Sequence, residues 1–186
     1  VDRAFGWIGE IFQTLLKLLP WLVIVPATHG GVAFVRGHRV KEWRPGLHWY
    51  WPVATQYKLI ITVRQTQMIQ AKVAMTKDLQ TVIVAALVTY TVQDVVSAVA
   101  KIADLPSDVI ERSQEALFSE VSEHTLQEIQ SDRVGFNLKL TRRVSKTLEG
   151  YGLQVLQSQL TEFAPCRAFT IKGQQTIGQY QLWSGF

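Results

Sequence analysis

Thr81-Val-Ile-Val-Ala-Ala-Leu-Val-Thr-Tyr-Thr-Val92 governs the architecture of this chain of 186 residues. Val82, Val84, Ala86, Val88, Tyr90 and Val92 recur at every second position, which is the side-chain period of a β-strand. Ile83, Ala85 and Leu87 fill alternate positions between them. A strand that is apolar on both faces is expected to be buried on both sides.

The chain reads outward from this strand in two different styles. On its N-terminal side the period stays at two. Thr76-Lys-Asp-Leu79 is a turn. Thr66 to Met75 alternates, with Ile69, Ala71, Val73 and Met75 on one side and Gln70 and Lys72 on the other. Tyr57 to Val63 and Gly31 to Arg36 are further strands. Arg36 to Arg44 is a basic connection leading into a Pro45-Gly46 turn. On the C-terminal side the period becomes helical. A short helix covers Asp94 to Lys101. A longer one opens at Leu105-Pro-Ser-Asp108, with Ser107 as its N-cap, and runs to about Gln130. A third runs from Ser131 to Glu149 and stops at Gly150-Tyr-Gly152. Val155 to Phe163 is the last strand. Strands segregated from helices in this way predict an α+β fold.

The N-terminal segment has its own character. On a helical projection Phe5, Ile8, Ile11, Phe12, Leu15, Leu16 and Leu19 form one continuous arc. Asp2, Arg3, Glu10, Gln13 and Lys17 fall opposite. This is an amphipathic helix with a wide apolar face, ended by Pro20. Trp21-Leu-Val-Ile-Val-Pro26 follows it. A membrane-crossing helix wants about 20 apolar residues in succession, and Glu10, Gln13, Lys17 and Pro20 interrupt this run. The expectation is a membrane-anchoring segment over residues 1–26 that lies in the interface.

Composition narrows the function classes. A formal net charge of +4 is compatible with an anionic surface, but no basic stripe interleaved with aromatics points to nucleic acid. Cys166 is the sole cysteine, so neither an internal disulfide nor a multi-cysteine zinc site is expected. No nucleophile elbow, phosphate loop or dinucleotide fingerprint occurs. His29, His38 and His48 have no carboxylate or cysteine at ligand spacing. Glu120, His124 and Glu128 share one helix face, which favours a hydrogen-bonded pair or a subunit contact over a metal site. No catalytic residue, metal or cofactor is expected.

Several motifs carry a resemblance. Val25-Pro26 followed by Gly31-Val-Ala-Phe-Val-Arg-Gly37 resembles the opening of an SPFH (band 7) domain, the module of stomatins, prohibitins, flotillins and HflK/HflC. Pro45-Gly-Leu-His-Trp49 with Pro52 is similar to that family's "PGLHW…P" segment. Thr76-Lys-Asp78 with Val88-Thr-Tyr-Thr-Val92 and Asp94 resembles "TKD…V.Y.V.D". Leu126 to Arg133 resembles "L.EI.S.R", and Gly150 to Val155 resembles "WGI.V". Leu79-Gln80 departs from the family's usual Gly-x after the Asp. The resemblance implies an SPFH domain over residues 27–165, with 166–186 a short tail lacking the family's long coiled coil. It further implies a non-enzymatic membrane scaffold that homo-oligomerises into a ring or cage, on the cytoplasmic face. An alternative role is a regulatory adaptor of a membrane-bound protease or channel.

Two sets of residues are the candidate sites. Trp21, Trp49 and Trp51, with the N-terminal apolar arc, are expected to contact membrane lipid, since Trp favours the membrane–water interface. Extended geometry puts Trp49 and Trp51 on one side and Tyr50 on the other. Asp108, Glu111, Glu115 and Glu123 form an acidic helix face, and Lys139, Arg142, Arg143 and Lys146 a basic one. These faces are expected to meet between subunits.

Overall fold

The computed structural model describes residues 19–166. Eight strands and four helices follow in the order β1 (Trp21–Val25), β2 (His29–Val35), β3 (Arg39–Trp43), β4 (Gly46–Tyr50), β5 (Thr55–Ile61), β6 (Gln65–Met75) and β7 (Thr81–Val92). Then come α1 (Val95–Lys101), α2 (Leu105–Glu123), α3 (Leu126–Ser131), α4 (Arg133–Glu149) and β8 (Leu153–Pro165). The fold is α+β, as the segregated periods predict.

The strands form three antiparallel units: a β1–β4 ribbon, a β3-β2-β5 sheet and a β6-β7-β8 sheet. In the last, β7 is the middle strand. Val82, Val84, Ala86, Val88 and Tyr90 are fully buried, whereas Ile83 and Leu87 on the other face are only half-buried. The expectation of burial on both sides thus holds for one face in full and for the other in part.

Beside β7, β6 breaks its own alternation. Ile69 pairs with Ala86 and Lys72 with Val84, so β6 spends one extra residue, a β-bulge. The bulge exchanges inside for outside. Ile69 before it is buried, but Val73 and Met75 after it are exposed, and Ala74 turns to the core instead. The single apolar side expected for Ile69, Ala71, Val73 and Met75 is therefore not formed.

Helices α2 and α4 cover the same sheet, α2 packing on β6 and α4 on β8. Val109, Leu117 and Val121 of α2 meet Phe136, Leu140, Val144 and Leu148 of α4 in one apolar core. Burial of such apolar side chains contributes about 1.5–3 kcal/mol each. The α2 N-cap is Asp104 rather than Ser107, whose hydroxyl donates to Asp104 Oδ2 at 2.6 Å. Pro106 suits the first turn, where its missing N–H costs nothing. The expected single helix to Gln130 is broken at His124-Thr125. Thr125 and Glu128 make a reciprocal capping box that starts α3.

At the sheet margin, α4 does more than pack. Thr141 Oγ1 accepts from Ser158 N (2.9 Å) and donates to Ser158 O (3.2 Å), and Asn137 Oδ1 accepts from Leu160 N (2.9 Å). These β8 groups point away from β7, so helix side chains finish the ladder where a ninth strand would otherwise pair.

Two of the quoted motifs touch in space. Asp94 caps α1, accepting from Val96 N and Ser97 N, while its own N–H donates to Gly152 O. Gly152 has φ +73, and a Cβ there would sit 2.5 Å from Asp94 O. Only glycine fits that corner. Likewise the Thr76–Gln80 turn docks on the α2–α3 break: Asp78 Oδ1 accepts from Leu126 N, and Lys77 N donates to His124 O.

Candidate interaction surfaces

Antiparallel pairing of β1 with β4 sets Leu22 opposite Trp49 and Ile24 opposite Leu47. Residues directly opposite share a face, and so do residues two apart. All four therefore stand on the ribbon's outer side, with exposures of 46, 65, 71 and 60 % for Leu22, Trp49, Ile24 and Leu47. The inner side closes a small second core of Val25, Ala33 and Trp43, with Val23, Tyr50 and Leu59 against it. His48 lies flat on Trp43 at 5.1 Å, and Tyr50 meets Tyr57 edge-on at 5.1 Å. The ribbon is thus pinned by its inner face while its outer face holds large apolar groups in water.

The predicted aromatic residues divide accordingly. Trp49 is on the outer ladder and Tyr50 faces inward, as alternation requires. Trp51 follows the end of β4 and lines a cleft beside the β2–β3 turn. Trp21 pairs with Tyr50 and so shares its side of the ribbon, although it is exposed. Trp43, in the segment read as a basic connection, is a core residue. Leu22, Ile24 and Leu47 belong to the exposed face but are absent from the sequence-based set. Their signal is the alternation of Leu22 and Ile24 before Pro26, visible only once β1 is recognised as a strand. Leu19 is exposed. Phe5, Ile8, Ile11, Phe12, Leu15 and Leu16, the residues of the expected anchoring helix, lie outside the described residues. The strand Trp21–Val25 places the last part of the expected anchor, residues 21–25, inside the folded sheets.

The charged helix faces meet in a second surface, a cleft of about 690 Å³ between α2 and α4. Arg143 Nε donates to Glu120 Oε2 at 2.6 Å, and its Nη2 donates to Glu123 Oε2 at 2.5 Å. Glu120 is almost wholly buried, with 4 % of its side chain exposed. The bond from Arg143 holds the Glu123 carboxyl below its ordinary range. His124 Nδ1 donates to the Glu120 carbonyl, and its Nε2 accepts from Lys139 Nζ, each at 2.9 Å. Asp108 pairs with Arg112 one turn on. Glu128 is spent on the α3 cap, where the Thr125 N–H holds its carboxyl low.

Of the eight residues expected between subunits, Glu123, Arg143 and Asp108 thus have ion-pair partners in their own chain. Glu111, Glu115, Arg142 and Lys146 are exposed and make no ion pair among the described residues. No group of three or more metal-ligating side chains occurs among the described residues. No described helix is long and apolar enough to cross a membrane.

Residues 23–179 match the SPFH domain / Band 7 family. An uncharacterised protein of Archaeoglobus fulgidus is 28 % identical over 84 % of this chain, and the match covers 63 % of that protein's length. An uncharacterised protein of Methanocaldococcus jannaschii is 27 % identical over 88 % of this chain and 82 % of its own. SPFH domains typically belong to membrane-associated scaffolds and are generally not enzymes. With the β6-β7-β8 sheet, its covering helices and the meeting of the Asp94 and Gly152 motifs in place, the chain belongs to the SPFH / Band 7 family.

Proposed function

We propose that this protein is a non-catalytic membrane scaffold, seated on the bilayer by the outer face of the β1–β4 ribbon and assembled into a closed homo-oligomer. The observation that carries the reading is the ladder of Leu22, Ile24, Leu47 and Trp49, held outward by a pinned ribbon. Exposed apolar patches of this kind mark protein or membrane contacts. Burying the exposed half to two-thirds of each side chain is worth about 1–2 kcal/mol, or about 4–8 kcal/mol for the four. That range spans marginal to firm membrane attachment, and the amphipathic segment ahead of Pro20 would add to it. Assembly is supported by family membership and by Glu111, Glu115, Arg142 and Lys146, which make no ion pair among the described residues and suit a head-to-tail contact between copies.

Flotation with liposomes tests the seat. Leu47→Glu with Trp49→Glu should lose most vesicle binding while circular dichroism stays native. A folded double variant that floats as well as the parent removes the ribbon from the bilayer. Electron microscopy of protein extracted from membranes tests assembly, and a monodisperse monomer would exclude it.

A further inference from the structure

Next to the ladder, the β2–β3 turn and the β4–β5 loop enclose a cleft of about 560 Å³. That volume lies in the range of small-ligand pockets. Its walls include Arg36, His38, Arg39, Trp51, Val53 and Thr55, and among the described residues no acidic one lines it. Neither Arg36 nor Arg39 makes an ion pair among the described residues. Two arginines therefore line one concavity without an ion-pair partner among the described residues. A low-dielectric wall concentrates such a field.

The backbone holds this cleft in shape. Arg36 N donates to Ala54 O at 2.7 Å, tying one loop to the other. Thr55 N and Ala54 N both donate to Trp51 O, at 2.9 and 3.1 Å. His38 Nδ1 lies 3.0 Å from Arg36 O and closes the turn across Gly37. Arg36 itself has φ +53, where Gly or Asn is the usual occupant. The turn thus carries a long cation at a position whose backbone prefers a small residue.

We propose that Arg36 and Arg39 bind a phosphate group in this cleft, and that an anionic lipid headgroup supplies it. This rests on the ribbon's being the membrane-facing surface and names the lipid class it selects. Planar guanidinium forks match the oxygens of phosphate better than a point charge does. The apolar rim distinguishes the source. Trp51 and Val53 are 53 and 77 % exposed, and Trp51 follows ladder residue Trp49 by two positions. A headgroup bound between the arginines would lay its acyl side along that rim, whereas a soluble phosphate ester has no use for it.

The test uses the full chain, with vesicles of phosphatidylcholine alone or mixed with phosphatidylglycerol. Arg36→Asn removes a charge and keeps a residue that tolerates the left-handed backbone; Arg39→Gln removes the other. The pair should reduce binding to mixed vesicles by about 30-fold, about fivefold for each cation lost, and leave binding to phosphatidylcholine unchanged. Lys41→Gln with Arg44→Gln, neither of which lines the cleft, is the control. An equal loss from the control pair means a diffuse field and overturns the site. In a second arm, glycerol phosphate is titrated without vesicles and the Gly37 amide is followed by NMR. A shift abolished by the arginine pair, with no preference among vesicles, upholds the phosphate site and overturns the lipid source. No shift and no vesicle preference overturns both. Loss of binding to every vesicle by the parent protein would instead sink the membrane reading, and the glycerol phosphate arm would still report on the cleft.

Discussion

Arg143→Ala should be far more damaging than Arg142→Ala, although the two are neighbours in sequence and identical in chemistry. Among the described residues Arg143 is the sole guanidinium on the buried Glu120 carboxylate, and it also binds Glu123. Arg142 is exposed and makes no ion pair among the described residues. Removing one partner of a fully buried pair costs about 3–5 kcal/mol, because the other charge is stranded. Glu120 meets that condition with 4 % exposure, but Arg143 retains 32 %, so water already screens part of the pair. The loss should therefore be smaller, about 2–3 kcal/mol. For a domain of this size that lowers Tm by about 5–10 °C. Arg142→Ala should stay within about 0.5 kcal/mol of the parent.

Urea unfolding of both single variants, together with Glu120→Gln and the Glu120→Gln/Arg143→Ala double variant, completes the measurement. If the cost is a stranded carboxylate, making residue 120 neutral in the Arg143→Ala background should restore at least about 1 kcal/mol. Equal costs for Arg142→Ala and Arg143→Ala, or a double variant no better than Arg143→Ala alone, would refute the reasoning. The same data bear on assembly. A charge reversal that includes Arg143 damages the fold itself, so subunit contacts are better probed at Arg142 and Lys146.

Leu79 occupies the left-handed region at φ +59 with 76 % of its surface exposed. Leu79→Gly relieves about 1–2 kcal/mol of backbone strain against about 0.5–1 kcal/mol of extra chain entropy, and should raise stability by about 0.5–1 kcal/mol in thermal melts; a lower Tm would contradict it. Acid should destabilise the domain. The Thr76 hydroxyl lowers the Asp78 pKa from 3.8, the Ser97 hydroxyl does the same for Asp94, and Arg143 and the Thr125 N–H lower Glu123 and Glu128 from 4.5. Each group contributes stability above its unfolded value, and that contribution is lost as pH falls through the depressed folded one. Melts recorded downward from neutral pH should hold level and then drop once pH passes below the unfolded carboxylate values. Asp94→Asn should make that drop shallower, and a profile flat to the acid limit would disprove the linkage.

The parts of the fold that sequence makes legible are those whose signal is local. The unbroken apolar run of β7 and the helical periods around Leu117 and Leu140 need no knowledge of partners. β3 and β4 escape because Arg39 and Lys41 give β3 the charged look of a loop, as suits a strand at a sheet edge. β1 escapes because its partner lies beyond two further strands, and a short apolar run alone fits a membrane segment equally well. The α2–α3 break is legible in principle, as Thr125-x-x-Glu128. The bulge in β6 is not, since alternation continues in the letters while the backbone slips. Within the candidate site, period two correctly separates Trp49 from Tyr50. The pairing of Arg143 with Glu120 is invisible, because it depends on which faces α2 and α4 turn to each other.

Because Asn137 and Thr141 occupy the outer margin of β8, the three-stranded sheet is polar in the geometric sense: one border is closed by its own helix, and the other, β6, has no strand beside it among the described residues. Strand addition can therefore happen once. Two copies could join border to border at β6 and would then present closed margins on both sides, which ends propagation. A sheet with two open borders could grow into a fibre; here Asn137 and Thr141 stand against that at the middle of β8. An array of many copies would therefore have to grow through surfaces other than the borders of this sheet.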